Sequence, residues 1–321
     1  MDEDTIQTRL ERRLGVVHAR QRLGIEADHE AQCFGQGLNF MHIENWYSVH
    51  AVIRTTLRLC GLYGRGRRNA GSVRLRHNTV RISGLPAAFQ GFTLLQLSDL
   101  HADMSMPAMD RVAALLPGLS YDLCVLTGDY RGKTFGPFDA AIAGVARVLE
   151  CVRGPVYGVL GNHDTIQMVP GLEDLGVRML LNEAVQVRRE NARIHLAGID
   201  DAHFFRVDNI EKAAAGIPAG ETAILLSHTP EIYRQAAHAG FCFLLAGHTH
   251  GGQICLPGGH PITLDSDLPR RYGAGSWHYG DMAGYTSVGA GSSVVAVRLN
   301  CLPEVTLHRL ECADSSVGPI A

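Results

Sequence analysis

Seven side chains with oxygen or nitrogen donors stand directly after apolar, strand-like runs: Asp99, His101, Asp129, Asn162, His228, His248 and His250. His163 and Asp164 adjoin the fourth of them. One histidine in a chain with sixteen is most often structural or exposed. One Asp after a strand most often caps a turn. The set carries the signal. Seven hard or borderline donors exceed what one tetrahedral zinc takes and suit two adjacent cations sharing a carboxylate.

These residues need elements that bring them together. From residue 90 onward, short apolar runs each end in polar residues: 92–99, 121–129, 155–164, 193–201, 222–230 and 241–250. Helix-like stretches separate several of them, at 107–117, 137–151, 165–176, 206–215 and 231–239. Buried strands alternating with helices predict an α/β domain. Its ligands bind beyond the carboxyl ends of the strands. VAVRLN (295–300) and EVTLHRL (304–310) read as a closing pair of strands. In extended backbone, Asp99 and His101 would point to one side, and His248 with His250 would repeat that arrangement. Glycines at 128, 161, 247, 251 and 252 permit tight turns beside them.

The motifs D-x-H at Asp99 to His101, G-D at 128–129, G-N-H-D at 161–164, the lone His228 and G-H-T-H at 247–250 resemble, in order, those of the calcineurin-like metallophosphoesterases. The resemblance covers about residues 92–310. It implies a four-layer α/β/β/α sandwich with a binuclear metal centre. On it, Asp99, His101, Asp129 and His250 match the ligands of one ion. Asp129 bridges to a second, held also by Asn162, His228 and His248. His163 matches the family's non-ligand catalytic histidine, with Asp164 as its expected support. Such a centre clamps a phosphoryl group and activates water, while a histidine protonates the departing oxygen. The mixed donors admit manganese, iron or zinc. LLSHTPE, AGHTHGGQI, GAGSS (289–293), Arg298 and Pro303-Glu304 resemble a bacterial phosphodiesterase branch similar to UDP-2,3-diacylglucosamine pyrophosphatase. GAGSS itself reads as a turn.

With 321 residues, 46% of them hydrophobic, the chain has ample apolar surface for a core, which excludes a disordered protein. A formal charge of −3 argues against a chain built throughout to coat nucleic acid. Yet between Glu44 and Asp99 there is no acidic residue, and eight arginines fall at 54, 58, 65, 67, 68, 74, 76 and 81. Trp46, Val49, Ile53, Leu57 and Cys60 recur at helical spacing there, ahead of a Gly-Arg linker. Two readings stand: a helix lying on an anionic membrane surface, or one packing on its own domain with a solvated basic face. Residues 5–26 read as an amphipathic helix without chemistry, and 27–40 as a loop.

The expected organisation is a helical and basic extension (1–82), a catalytic domain (83–312) and a tail (313–321). No apolar run reaches the roughly 18 residues of a spanning helix, and the acidic N-terminus has no secretory apolar core. A cytoplasmic protein, peripheral on the inner membrane face, is expected. Its substrate would be a phosphorylated small molecule or a lipid-linked phosphodiester or pyrophosphate. The alternatives are a soluble broad-specificity phosphatase or nucleotide phosphodiesterase, and a non-catalytic protein-binding scaffold.

Overall fold

The computed structural model describes residues 5–35 and 47–313. Trp46 and the side chain of Val49, both in the predicted stripe, lie outside what is described. All six apolar runs form strands: Thr93–Leu97, Leu123–Thr127, Val156–Val159, Ala192–Gly198, Ala223–Leu226 and Phe243–Ala246. The first three lie parallel in one six-stranded sheet, and the last three lie parallel in a second.

Alternation along the strands builds the layers. Leu94, Leu123 and Val125 of the first sheet meet Ile224, Leu226, Phe243 and Leu245 of the second in a central core. Leu95, Leu97, Cys124 and Leu126 point the other way, onto helices Met106–Leu115 and Asp139–Leu149. Leu225 and Leu244 pack outward against Ile232 and Ala236. Each strand is thus covered on both faces, which is why it reads as a continuous apolar run. The result is the α/β/β/α sandwich.

Several expectations are corrected. VAVRLN is not a strand; it makes one isolated bridge, Ile254 to Leu299. Val295 and Val297 donate to carbonyls only two residues back, which closes tight turns instead of a ladder. Their alternation reflects packing instead: Val295, Val297 and Leu299 cluster with Ile53 and Leu57. Ile53 and Leu57 therefore face the domain, not a membrane. Glu304–Cys312 lies between Thr93–Leu97, antiparallel, and Arg74–Ile82, parallel, so the end of the arginine-rich segment belongs to the sheet. The Gly-Arg linker is helical, Tyr63–Ala70. The loop expected from residue 27 is helix as far as Gly35, and residues 36–40 lie outside the described residues.

Nor are the N-terminal helices, Ile6–Leu14 and Val16–Gly35, idle. Arg22 is fully buried, with Nε 3.5 Å from Asp200, Nη1 3.3 Å from Glu26, and Nη2 donating to the Asp164 carbonyl at 3.1 Å. Its guanidinium lies 3.6 Å from the Phe205 ring centroid. Glu26 accepts from the Ile166 amide at 2.7 Å and from the Thr165 hydroxyl. Burial alone would raise the Asp200 carboxyl, but Arg22 and His18 hold it below its usual range. Removing one partner of such a buried pair leaves the other charge desolvated, at about 3–5 kcal/mol. Arg22→Met should therefore lower unfolding free energy in urea by that amount; a change below about 1 kcal/mol would show the N-terminal helices to be loosely held.

Candidate metal centre

The strand ends turn sharply, and the turns are left-handed. Asp99, His101, Asp129, His248 and His250 have φ of 50°, 39°, 58°, 71° and 50°. This is costly for residues with a Cβ and persists only where surroundings impose it. The expected extended backbone at Asp99–His101 and His248–His250 is not found; the side chains converge through these turns, not through strand alternation.

Hydrogen bonds supply the imposition. The Asp164 carboxylate accepts from the amides of Asp129, Tyr130 and Gly161 at 2.8–2.9 Å. It braces the Asp129 turn and does not touch the His163 ring, so its expected supporting role falls instead on the neighbouring loop. Thr134 Oγ1 is the group near His163, 3.4 Å from Nδ1. The His248 amide donates to Asp99 Oδ1 at 3.0 Å. Gly291 donates to the Asp99 carbonyl at 2.8 Å, so the predicted GAGSS turn closes against the first motif.

All seven expected donors come together, and all are buried. Asp99, His101, Asp129 and His250 each offer one atom within 4.8 Å of the others. Nε2 of His101 and Nε2 of His250 are 3.0 Å apart, with Asp99 Oδ1 3.5 Å from the latter. On the other side, Asn162 Oδ1 lies 2.8 Å from both His228 Nε2 and His248 Nδ1. Asp129 Oδ2 joins the two groups, 3.7 Å from His101 Nε2 and 3.4 Å from His228 Nε2. His163 Nε2 stands 3.9 Å from the same oxygen.

The outer nitrogens fix the tautomers. His101 Nδ1 donates to the Arg131 carbonyl at 2.7 Å and His228 Nδ1 to the Thr127 carbonyl at 2.8 Å. Their Nε2 lone pairs therefore point inward, at carboxylates and at other nitrogens. Acceptors facing acceptors in a buried site fit a cation, and imidazoles tied to backbone carbonyls are the usual ligand arrangement. The charges agree. Burial would lower His228, but Asp129 outweighs it and lifts the imidazole to about 10. Burial would likewise raise Asp129, yet His228, His163 and His101 hold it well below the usual range. Burial lifts Asp99 to about 6 and drops His101 to about 4.

Residues that the sequence reading did not place in the site surround it. Arg298, within the misread strand, is fully buried. It donates to the His250 carbonyl at 3.1 Å, to Val288 at 2.7 Å and to Gly291 at 2.6 Å, with Nη2 3.0 Å from His250 Nδ1. Arg131 holds the His163 carbonyl at 2.5 Å. A cavity of about 340 Å³ adjoins this side, lined by Arg131, Thr134, Phe135, Phe205 and Glu26.

The model of the calcineurin-like phosphoesterases matches residues 92–252. The chain is 30% identical over 257 residues to the uncharacterized metallophosphoesterase YkoQ of Bacillus subtilis, covering 76% of this chain and 92% of that protein. It is 30% identical to the phosphodiesterase YaeI of Escherichia coli, covering 68% and 82%. A transmembrane protein with a metallophosphoesterase domain from Bos taurus is 27% identical, over 73% of this chain and 56% of that one. The chain belongs to the calcineurin-like phosphoesterases and is a metal-dependent phosphoester hydrolase.

Close backbone approach gives a direct test. A Cβ on Gly247 would fall 1.9 Å from Ser98 Oγ and 2.3 Å from Asp99 Oδ2. Gly247→Ala must therefore displace Asp99, and metal content of the purified variant, measured by plasma mass spectrometry, should drop by at least half. Full metal content would mean that Asp99 is not a ligand.

Proposed function

We propose that this calcineurin-like phosphoesterase cleaves a phosphodiester or pyrophosphate bond at a binuclear centre, with Asp129 shared between two divalent cations. The observation that carries the reading is the position of Asp129 Oδ2, between His101 of one donor group and His228 of the other. Asp99, His101, Asp129 and His250 would hold one ion, and Asp129, Asn162, His228 and His248 the second. The donor set accepts manganese, iron or zinc. When bound, the pair would neutralise phosphoryl charge and lower the pKa of a shared water.

The protein's own groups do the rest. His163 follows Asn162 but keeps its ring outside both donor groups, with Nε2 turned toward Asp129. An N–H donor there would lie beside the reacting phosphoryl, suited to protonating the departing oxygen. The cavity next to it, with Phe135 and Phe205 in its wall, would receive the leaving group. YaeI is named a phosphodiesterase, and that reaction class suits a site with a proton donor and room for a second ester arm.

Asp129→Asn should lose both bound metal and turnover. His163→Ala should keep its metal and lose about two to four orders of magnitude in kcat, the range of general acid catalysis. Esters with good leaving groups should lose less. Equal losses on good and poor leaving groups would remove the acid role; intact metal and activity in Asp129→Asn would remove the shared carboxylate.

The lipid-linked substrate and the peripheral position rest on a separate surface. No described helix is long and apolar enough to cross a membrane. Helix Tyr47–Leu59 and the turn before helix Tyr63–Ala70 instead expose Val52, Leu59 and Leu62, at 63%, 84% and 37%, and the two helices expose Arg58, Arg67 and Arg68. Exposed apolar residues and arginines on one stretch of chain suit an anionic lipid surface, where each cation contributes about 1 kcal/mol. Leu59→Ser with Leu62→Ser should abolish co-sedimentation with phosphatidylglycerol vesicles. Wild-type protein that ignores such vesicles at low salt would leave a phosphodiesterase of soluble substrates.

A further inference from the structure

We propose that the arginines at the end of the basic segment form a binding site for a phosphate group, distinct from the metal centre. A cavity of about 440 Å³ is lined by Arg65 and Asn69 of helix Tyr63–Ala70, by Arg74 and Arg76 of the adjoining strand, and by Asn300 and Glu304. Three arginines and one carboxylate thus line it. That carboxylate is already engaged: Glu304 Oε1 accepts from the Tyr285 hydroxyl at 2.9 Å, and Oε2 lies 3.5 Å from Arg76 Nε. Arg65 spends one nitrogen on Asn300 Oδ1, at 2.7 Å. Arg74 has no side-chain hydrogen bond or ion pair among the described residues.

Positive charge collected in a concavity without matching carboxylates calls for an anion. Guanidinium groups bind phosphate through paired N–H donors, a geometry that a monovalent halide cannot match. The volume falls within the range of small-molecule pockets, about 300–1,000 Å³. There is room for a phosphate and the group that carries it. The site also has a physical path to the first metal's ligands. Cys301, in the cavity wall, has Sγ 3.4 Å from the His250 carbonyl, and Val288 in the same wall accepts from Arg298. The exposed Leu59 and Leu62 lie in the helix and turn that precede Arg65, so the phosphate would be either the headgroup of a lipid or that of a soluble ligand. The inference rests on neither the catalytic assignment nor the lipid-surface reading.

The test uses the metal-loaded, full-length protein. Inorganic phosphate titrated by calorimetry should reveal two classes of site in the wild type, one of them at the metals. Arg65→Gln with Arg74→Gln should weaken one class at least tenfold and leave the other, with metal content and thermal midpoint retained. Arg81→Gln, on the same strand but outside the cavity, is the control for lost net charge. Vesicles containing phosphatidate distinguish the source: arginine-dependent binding to them identifies a lipid headgroup, and phosphate binding without it identifies a soluble ligand. Identical phosphate isotherms for wild type and double variant, or an equal loss in Arg81→Gln, would overturn the site.

Discussion

Everything in the centre depends on where the Asp129 carboxylate is held. A carboxylate buried among imidazoles would be raised by desolvation, and it stays ionised only because His228, His163 and His101 surround it. Such an arrangement cannot be left to a freely turning side chain. The backbone at Asp129 is held at φ 58°, and its amide is tied to the Asp164 carboxylate. The His163 amide then donates to Asp129 Oδ1 at 2.9 Å, which leaves Oδ2 for the two donor groups. The G-N-H-D turn and the G-D turn are therefore one hydrogen-bonded unit. The residue that fixes it, Asp164, spends its carboxylate on backbone amides.

This unit is braced from outside the catalytic motifs. Arg22 reaches the Asp164 carbonyl from the N-terminal helices, and Glu26 on the same helix caps the Thr165–Ile166 turn. From the other side, Arg298 fastens the His250 loop to Val288 and Gly291. Buried arginines are expensive unless nearly every N–H finds an acceptor. Arg298 meets that condition with backbone carbonyls instead of a carboxylate. Its positive charge is thereby retained near His250, which burial and that charge together push well below the usual histidine range. An imidazole so biased stays neutral, the form that ligates a cation.

What could be read from the chain divides along physical lines. Strands covered on both faces leave a long apolar run in the sequence, so TLLQL, LCVLT and FLLA were legible, and so were the donors that follow them. The backbone conformation of those donors was not. Nothing in D-x-H announces left-handed turns, because ordinary residues adopt them only when distant carboxylates and carbonyls impose them. Arg74–Ile82 was hidden for another reason. It is an edge strand with exposed arginines at 74, 76 and 81, so charge obscured the pattern. VAVRLN misled in the opposite sense: alternation of period two normally marks a strand, but here it records three side chains packing under one helix. Arg298 sits between two of them and turns the other way, which the alternation shows and the strand reading discarded.

The basic segment shows how two demands share one stretch of chain. Ile53 and Leu57 pack on Val297 and Leu299, so the helix is docked and its apolar stripe is consumed by the fold. A helix needing only to dock would cover its remaining surface with mixed charge, because an unbroken run of arginines repels itself. The arginines are instead kept free of acidic neighbours in sequence, and the strand that follows carries more of them toward the same cavity. Glu304 is the carboxylate that enters, and it is held by Tyr285 and Arg76. The fold thus accounts for the apolar half of this segment and leaves much of its charge unaccounted for. An unbalanced charge that folding does not use is best explained by something that binds there.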